Sequence, residues 1–216
     1  MCFSATASFG AGAVLSIMGL ASIKKAQTPV QIPFASIPFL FAVQQFSEGF
    51  LWLSLTDPSF ASLREFSTYA FLFFAQIVWP FWVPFAVLKM EPIAKRKKVE
   101  RILLVAGSLV SVYFIWCIFT FPVNGVIADY HIFYTFGYPP QITPWVSGVY
   151  AIATIGATMV SSIKKMWVFG LLVLLSYIVT LIFYFDFFVS VWCFFAAILT
   201  VLIFEIMRLE KKHQLD

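Results

Sequence analysis

Between Lys165 and Glu205 the chain reads MWVFGLLVLLSYIVTLIFYFDFFVSVWCFFAAILTVLIF (residues 166–204), an apolar run in which Asp186 is the only charge. A single helix over residues 167–207 would be about 60 Å long, roughly twice the hydrocarbon thickness of a bilayer. The economical reading is two membrane spans, 167–184 and 187–207. They are joined by a tight hairpin at Tyr184-Phe185-Asp186-Phe187, with Asp186 as the N-cap of the second helix. That turn decides whether the number of crossings is odd or even, and so on which side the chain ends.

A ruler of about 20 apolar residues, moved outward from this run, finds five more spans at 5–23, 32–55, 67–88, 101–121 and 144–163. Composition agrees: 62% of the 216 residues are hydrophobic, 19% aromatic and 11% charged, against roughly 25% charged in soluble domains. A water-exposed surface cannot be built from so few charges. The spans use most of the length, so the expectation is an all-α fold. It is a polytopic membrane helix bundle of seven transmembrane helices, forming one domain over 1–216.

Basic residues orient the bundle. Lys24 and Lys25 fall in the first connection; Lys89, Lys95, Arg96, Lys97, Lys98 and Arg101 in or beside the third; Lys164 and Lys165 in the fifth; Arg208, Lys211 and Lys212 in the tail. Only Arg64 falls on the other side. By the positive-inside rule the basic side is cytoplasmic, which puts the N-terminus outside and the C-terminus in the cytoplasm. The first apolar stretch precedes its positive charges, the reverse of a signal peptide, and is expected to stay in the mature protein. Such polybasic connections are orientation signals, and nucleic acid is not an expected partner.

The outer connection, 122–143, has no cation and many aromatics. Asn124-Gly125 followed by β-branched and aromatic residues allows a short hairpin on the outer surface, a lid over the bundle or an interfacial aromatic belt.

Polar residues inside the spans are the candidate site. Glu48 lies in Gln44-Gln45-Phe46-Ser47-Glu48-Gly49-Phe50-Leu51-Trp52. A charge at mid-bilayer costs on the order of 2.5–3.5 kcal/mol on insertion scales, so it needs a partner or a proton. Gln44, Gln45 and Trp52, at i−4, i−3 and i+4, share its helical face. Gln76 in the next span lies at similar depth, roughly 10–14 Å below the outer surface, where both could join one hydrogen-bond network. Trp79-Pro80 and Trp82-Val83-Pro84 follow, and each proline removes a backbone bond and frees a carbonyl. Ser4, Ser8, Gly12 and Ser16 form a small-residue stripe that suits close helix packing.

Cys2, Cys117 and Cys193 have no zinc or haem spacing. Cys2 is a candidate thiol nucleophile. A disulfide in an oxidising outer compartment, or plain burial, are the other readings of the three. His131 and Asp129 are outer-loop candidates, while His213 lies across the membrane from His131, so no shared metal site is expected. A zinc-hydrolase site lacks its histidines and a retinal Schiff base lacks a lysine in the seventh span.

Three stretches carry a resemblance: Met1-Cys2-Phe3-Ser4-Ala5, Gln44-Gln45-x-x-Glu48-Gly49-x-x-Trp52, and Gln76-x-x-Trp79-Pro80-x-x-Val83-Pro84. Together they resemble an uncharacterised family of small bacterial multi-pass membrane proteins that open Met-Cys-Phe/Trp-Ser-Ala. The resemblance implies a multi-pass protein of the cell (inner) membrane and brings no mechanism or cofactor. The first expectation for function is a bundle that binds a small or lipidic ligand, or handles a proton or ion, around Glu48. An intramembrane transferase or hydrolase using Cys2, with Glu48 or His131 as base, is the second, and an accessory subunit of a membrane complex the third.

Overall fold

A computed structural model of the chain describes residues 4–213, with side chains as far as Glu210. Helices occupy every apolar stretch read above: α1 (Ala5–Lys25), α2 (Ile32–Ala35) leading into α3 (Ile37–Thr56), α4 (Arg64–Leu72) leading into α5 (Trp79–Met90), α6 (Ala94–Thr120), α7 (Thr143–Val160), α8 (Met166–Phe183), and α9 (Phe188–Leu199) leading into α10 (Val201–His213). Among the described residues, five helical segments are long and apolar enough to cross a membrane: Ala5–Lys25, Pro58–Met90, Ala94–Thr120, Met166–Phe183 and Phe185–Glu210. The two long helices outside this set, α3 and α7, carry several of the bundle's inward polar groups. Gln44, Gln45 and Glu48 on α3 are wholly buried, and Thr154 and Thr158 on α7 nearly so.

α1 packs along α3 through a stripe of Ser8, Gly12, Leu15, Gly19 and Ser22, all buried. A Cβ on Gly19 would meet the Phe39 backbone nitrogen at 2.6 Å, so the two backbones touch there. Gly19 and Ser22 therefore continue the small-residue stripe. Ser16 leaves it and bonds back to the Gly12 carbonyl at 2.8 Å. Ser4 caps α1 by accepting from the Ala7 N–H at 3.2 Å.

Between α4 and α5 the helix widens into a π turn over Phe73–Val78. The Trp79 N–H reaches five residues back to the Phe74 carbonyl. In that register Pro80 has no N–H to offer the Ala75 carbonyl, and the Tyr150 hydroxyl donates to it instead at 2.9 Å. Ser111 donates likewise to the Ile77 carbonyl at 2.7 Å. Thus the Ala75 carbonyl, which Pro80 cannot serve, is taken by α7 rather than left free, and Ser111 adds a tie from α6 to the same turn. Pro84 withholds the next donor, from the Pro80 carbonyl, and α6 closes on that gap at Gly107, where a Cβ would lie 1.8 Å from the Pro80 oxygen.

The connection after α6 forms an antiparallel hairpin, β1 (Val123–Ala128) with β2 (His131–Phe136), in register Ala128 with His131. Its two-residue turn is Asp129-Tyr130, at φ 45° and 60°, the pairing of a type I′ turn. Asn124-Gly125 lies inside β1 instead. The hairpin lies across the ends of α3, α4 and α9: Arg64 at the start of α4 donates to the Gly125 carbonyl at 2.9 Å, Tyr134 stacks on Phe71, and His131 stacks on Phe187.

The hairpin at Tyr184 to Phe187 separates α8 from α9 as a short 3-10 turn. Asp186 does not cap α9, however. The cap position belongs to Phe187 and no side chain bonds there, because the 3-10 turn places Asp186 one residue too early to reach the first free N–H groups.

The opposite end gathers the cations. The Lys25 ammonium lies 5.8 Å from the centroid of Phe204, and Arg96 donates to the Val160 carbonyl at 2.7 Å. Glu91, in the turn before α6, accepts four bonds. They come from the Ser161 hydroxyl (3.2 Å), the Ser162 N–H (2.7 Å), the Ser162 hydroxyl (2.5 Å) and the Ile93 N–H (3.0 Å). Burial pushes its carboxyl up, but the bonds from Ser162, Ile93 and Ser161 outweigh that and hold it below the usual carboxylate range.

Candidate functional site

One face of α3 presents Phe41, Gln44, Gln45, Glu48 and Trp52 inward, all buried. The amide of Gln45 donates to Glu48 Oε2 at 3.4 Å, one helical turn along. Glu48 Oε1 accepts from the Ser190 hydroxyl of α9 at 2.5 Å. Gln44 Oε1 accepts from the indole N–H of Trp79 at 2.7 Å, and Phe41 stacks on the same indole with centroids 3.9 Å apart. The Glu48 neighbourhood therefore ties α3 to α5 and to α9, elements nearly 150 residues apart in the chain. Trp52 is buried on the same face, and its indole nitrogen has no partner among the described residues.

Gln76 bonds elsewhere. Its Oε1 accepts from the Tyr138 hydroxyl at 2.9 Å, so Gln76 anchors the segment after the hairpin and not Glu48. Burial pushes the Tyr138 phenol well up from its ordinary value, which keeps it a donor.

Two cavities lie beside these residues. The larger, about 240 Å³, is lined by Gln76, Tyr138, Ser147, Tyr150, Tyr177 and Trp192. The smaller, about 50 Å³, lies toward the cationic end among Phe41, Trp79, Thr154, Thr158 and Phe169. Tyr150, Trp192 and Cys193 line both and form the wall between them. Trp79 links the smaller cavity to the Gln44 amide. The indole N–H of Trp192 is buried with no partner among the described residues. Mostly apolar walls with a few aimed polar groups are the usual make-up of a small-molecule site.

The remaining candidates are placed apart. Cys2 lies outside the described residues. Cys117 and Cys193 are buried free thiols. His131 Nδ1 shares a 2.6 Å hydrogen bond with the Asp129 carbonyl inside the hairpin turn. Among the described residues no three His, Cys, Asp or Glu side chains converge on a metal position.

Sequence reading missed Ser190, Trp192 and Tyr150. Ser190 carried a signal, since it is a hydroxyl inside the long apolar run, at i−3 from Cys193. Tyr150 and Trp192 look like ordinary aromatics of a span, and only the π turn and the cavities give them roles.

Helices of this length and apolarity, with large apolar side chains such as Ile17, Ile102, Leu109, Phe119 and Ile182 more than half exposed on their outer faces, define a helical membrane protein. Several of its inward polar groups, Gln76, Tyr138, Tyr150, Thr154 and Thr158, line the two adjoining cavities. The chain belongs to the Family of unknown function (DUF6629), whose model matches residues 1–215. No curated protein and no solved structure matches it.

Proposed function

We propose that this is a multi-pass bacterial inner-membrane protein of seven spans, with its N-terminus and hairpin outside and its cationic end in the cytoplasm. In its outer half it binds a small apolar or lipidic ligand. Supporting the orientation, the cations described at one end face a single cation, Arg64, at the other. The observation that carries the ligand reading is the pair of adjoining cavities sharing Trp192, whose unpartnered N–H is a donor waiting for an acceptor group. The ligand is an apolar body with one acceptor. The Glu48 network behind Trp79 is the polar floor that holds α3, α5 and α9 around it.

The test uses full-length protein purified in mild detergent, with native mass spectrometry and extraction of bound lipid. Wild type is compared with Ser147→Trp, which narrows the mouth from an exposed helix position, and with Trp192→Phe. Ser147→Trp is expected to lose the bound molecule, and Trp192→Phe to bind about fivefold more weakly, as for one lost hydrogen bond of about 1 kcal/mol. Equal occupancy in all three proteins refutes the reading. Proton and solute flux in liposomes, for wild type and Glu48→Gln, reports whether the carboxyl also takes part in transport.

A further inference from the structure

The cationic end holds a second acid that nothing above uses. Arg96, Glu100 and Leu103 stand at i, i+4 and i+7 on α6 and so share one face. Arg96 bonds the Val160 carbonyl, and the Leu103 methyls lie 3.6 Å from where a Cβ on Gly156 would be. Glu100 therefore faces α7 between Gly156 and Val160, at the α6–α7 junction. It is wholly buried, and neither carboxyl oxygen has a hydrogen-bond partner among the described residues. Glu91 cannot help it, since that carboxylate only accepts, from four donors, and its charge disfavours a second one nearby.

The charged groups around the junction can be named. On α6 they are Lys95 and Lys98, both exposed, with Arg96, Lys97 and Arg101; in the preceding turn, Glu91, with Lys89 on α5; in the turn after α7, Lys164 and Lys165, both exposed; α7 itself carries no charge. The ion pair among the described residues, Arg208 with Glu205, involves none of them. A carboxyl buried without donor or cation favours its protonated form.

We propose that Glu100 is a proton-binding site that keeps the α6–α7 junction closed while it carries its proton, with Arg96 as the group that changes partner. When the O–H bond of Glu100 breaks, its proton passes to water at the cationic end. The carboxylate then draws the Arg96 guanidinium, one helical turn away, off the Val160 carbonyl. The end of α7 and the turn at 161–165 lose that tie, while the Glu91 bonds to Ser161 and Ser162 remain. The proposed ligand cavity is not needed for this step.

The experiment is thermal unfolding of the full chain in detergent across a pH series, for wild type and Glu100→Gln. Folding that prefers the protonated acid loses stability as pH rises from the ordinary glutamate range of about 4.3. Glu100→Gln should therefore melt above wild type, with no gap near pH 4 and a gap that widens upward. Glu91, present in both proteins and held below the usual carboxylate range, titrates in stronger acid than this series. Two readouts need no stable variant: in wild type, the protection of amides 161–165, measured against their intrinsic exchange rate at each pH, should fall as pH rises, and infrared difference spectra over the same series should lose a protonated-carboxyl band. A variant that melts below wild type, a gap independent of pH, or protection at 161–165 indifferent to pH overturns the proposal.

Discussion

Replacing Glu91 by alanine removes one acceptor group from four donors at once. The half-buried Ser162 hydroxyl can rotate toward water and the buried Ser161 hydroxyl keeps its bond from the Ile163 N–H, but the Ser162 and Ile93 N–H groups are fixed by their backbone and lose their acceptor. Each stranded donor at this partly buried position costs about 1–2 kcal/mol, giving roughly 2–4 kcal/mol in all. Lys165, three residues on, is held at φ 63°, a conformation that costs on the order of 1–2 kcal/mol for a non-glycine residue and relies on the turn being pinned. At about 2–4 °C per kcal/mol for a chain of this size, Glu91→Ala should melt roughly 5–15 °C below wild type in detergent, followed by tryptophan fluorescence. The pH dependence has a definite sign. Because hydrogen bonding holds the Glu91 carboxyl below its ordinary value, its contribution is present above the unfolded pKa of about 4.3. It is lost as pH falls through the lower folded value. The gap between wild type and variant should hold steady from about pH 5 upward and close in stronger acid. A variant that melts with wild type at pH 7, or a gap that persists unchanged into acid, would refute the clamp.

Gly107→Ala would put a methyl 1.8 Å from the Pro80 carbonyl, and forcing α6 off α5 should cost about 3 kcal/mol or more. Gly10→Ala, with nothing within 4 Å of the new methyl, should be neutral or up to about 1 kcal/mol stabilising; equal melting temperatures for the two variants would contradict the packing. Tyr130→Gly, at an exposed turn position with φ 60°, should stabilise the hairpin by about 0.5–1 kcal/mol, read as slower hydrogen exchange across β1 and β2.

The helices were legible because a span is a matter of length and apolarity, both local properties of the chain. The divide between α8 and α9 came from length alone, and the turn formed where that argument put it, although Asp186 proved idle as a cap. The π turn was not legible. Two prolines announce lost bonds, but whether the helix kinks or widens depends on which neighbours take the loosened carbonyls. For the Ala75 carbonyl that neighbour is Tyr150, from a helix 75 residues away. Glu48 was legible as an anomaly because a carboxylate stands out in an apolar span. Glu91 and Glu100 were not, because they sit among the many charges of a basic border and look solvated there. Their difference arises only in three dimensions, where one accepts four bonds and the other none.

Pro80 and Pro84 connect these features. By withholding donors from the Ala75 and Pro80 carbonyls they make the middle of the α4–α5 segment a poor self-sufficient helix. It depends on Tyr150 from one side, and on the other on Ser111 together with the close approach at Gly107. Tyr150, drawn in to satisfy Ala75, brings its ring against Trp192 at 5.5 Å and so divides the cavity in two. A hydroxyl-less ring at this position would leave the Ala75 carbonyl without its donor inside an apolar bundle, where water is a scarce substitute. The wall of the proposed site and the repair of the helix are thus the same side chain. Any movement of Tyr150 that joined the two cavities would also release a buried carbonyl, which opposes opening unless a ligand or water supplies a donor.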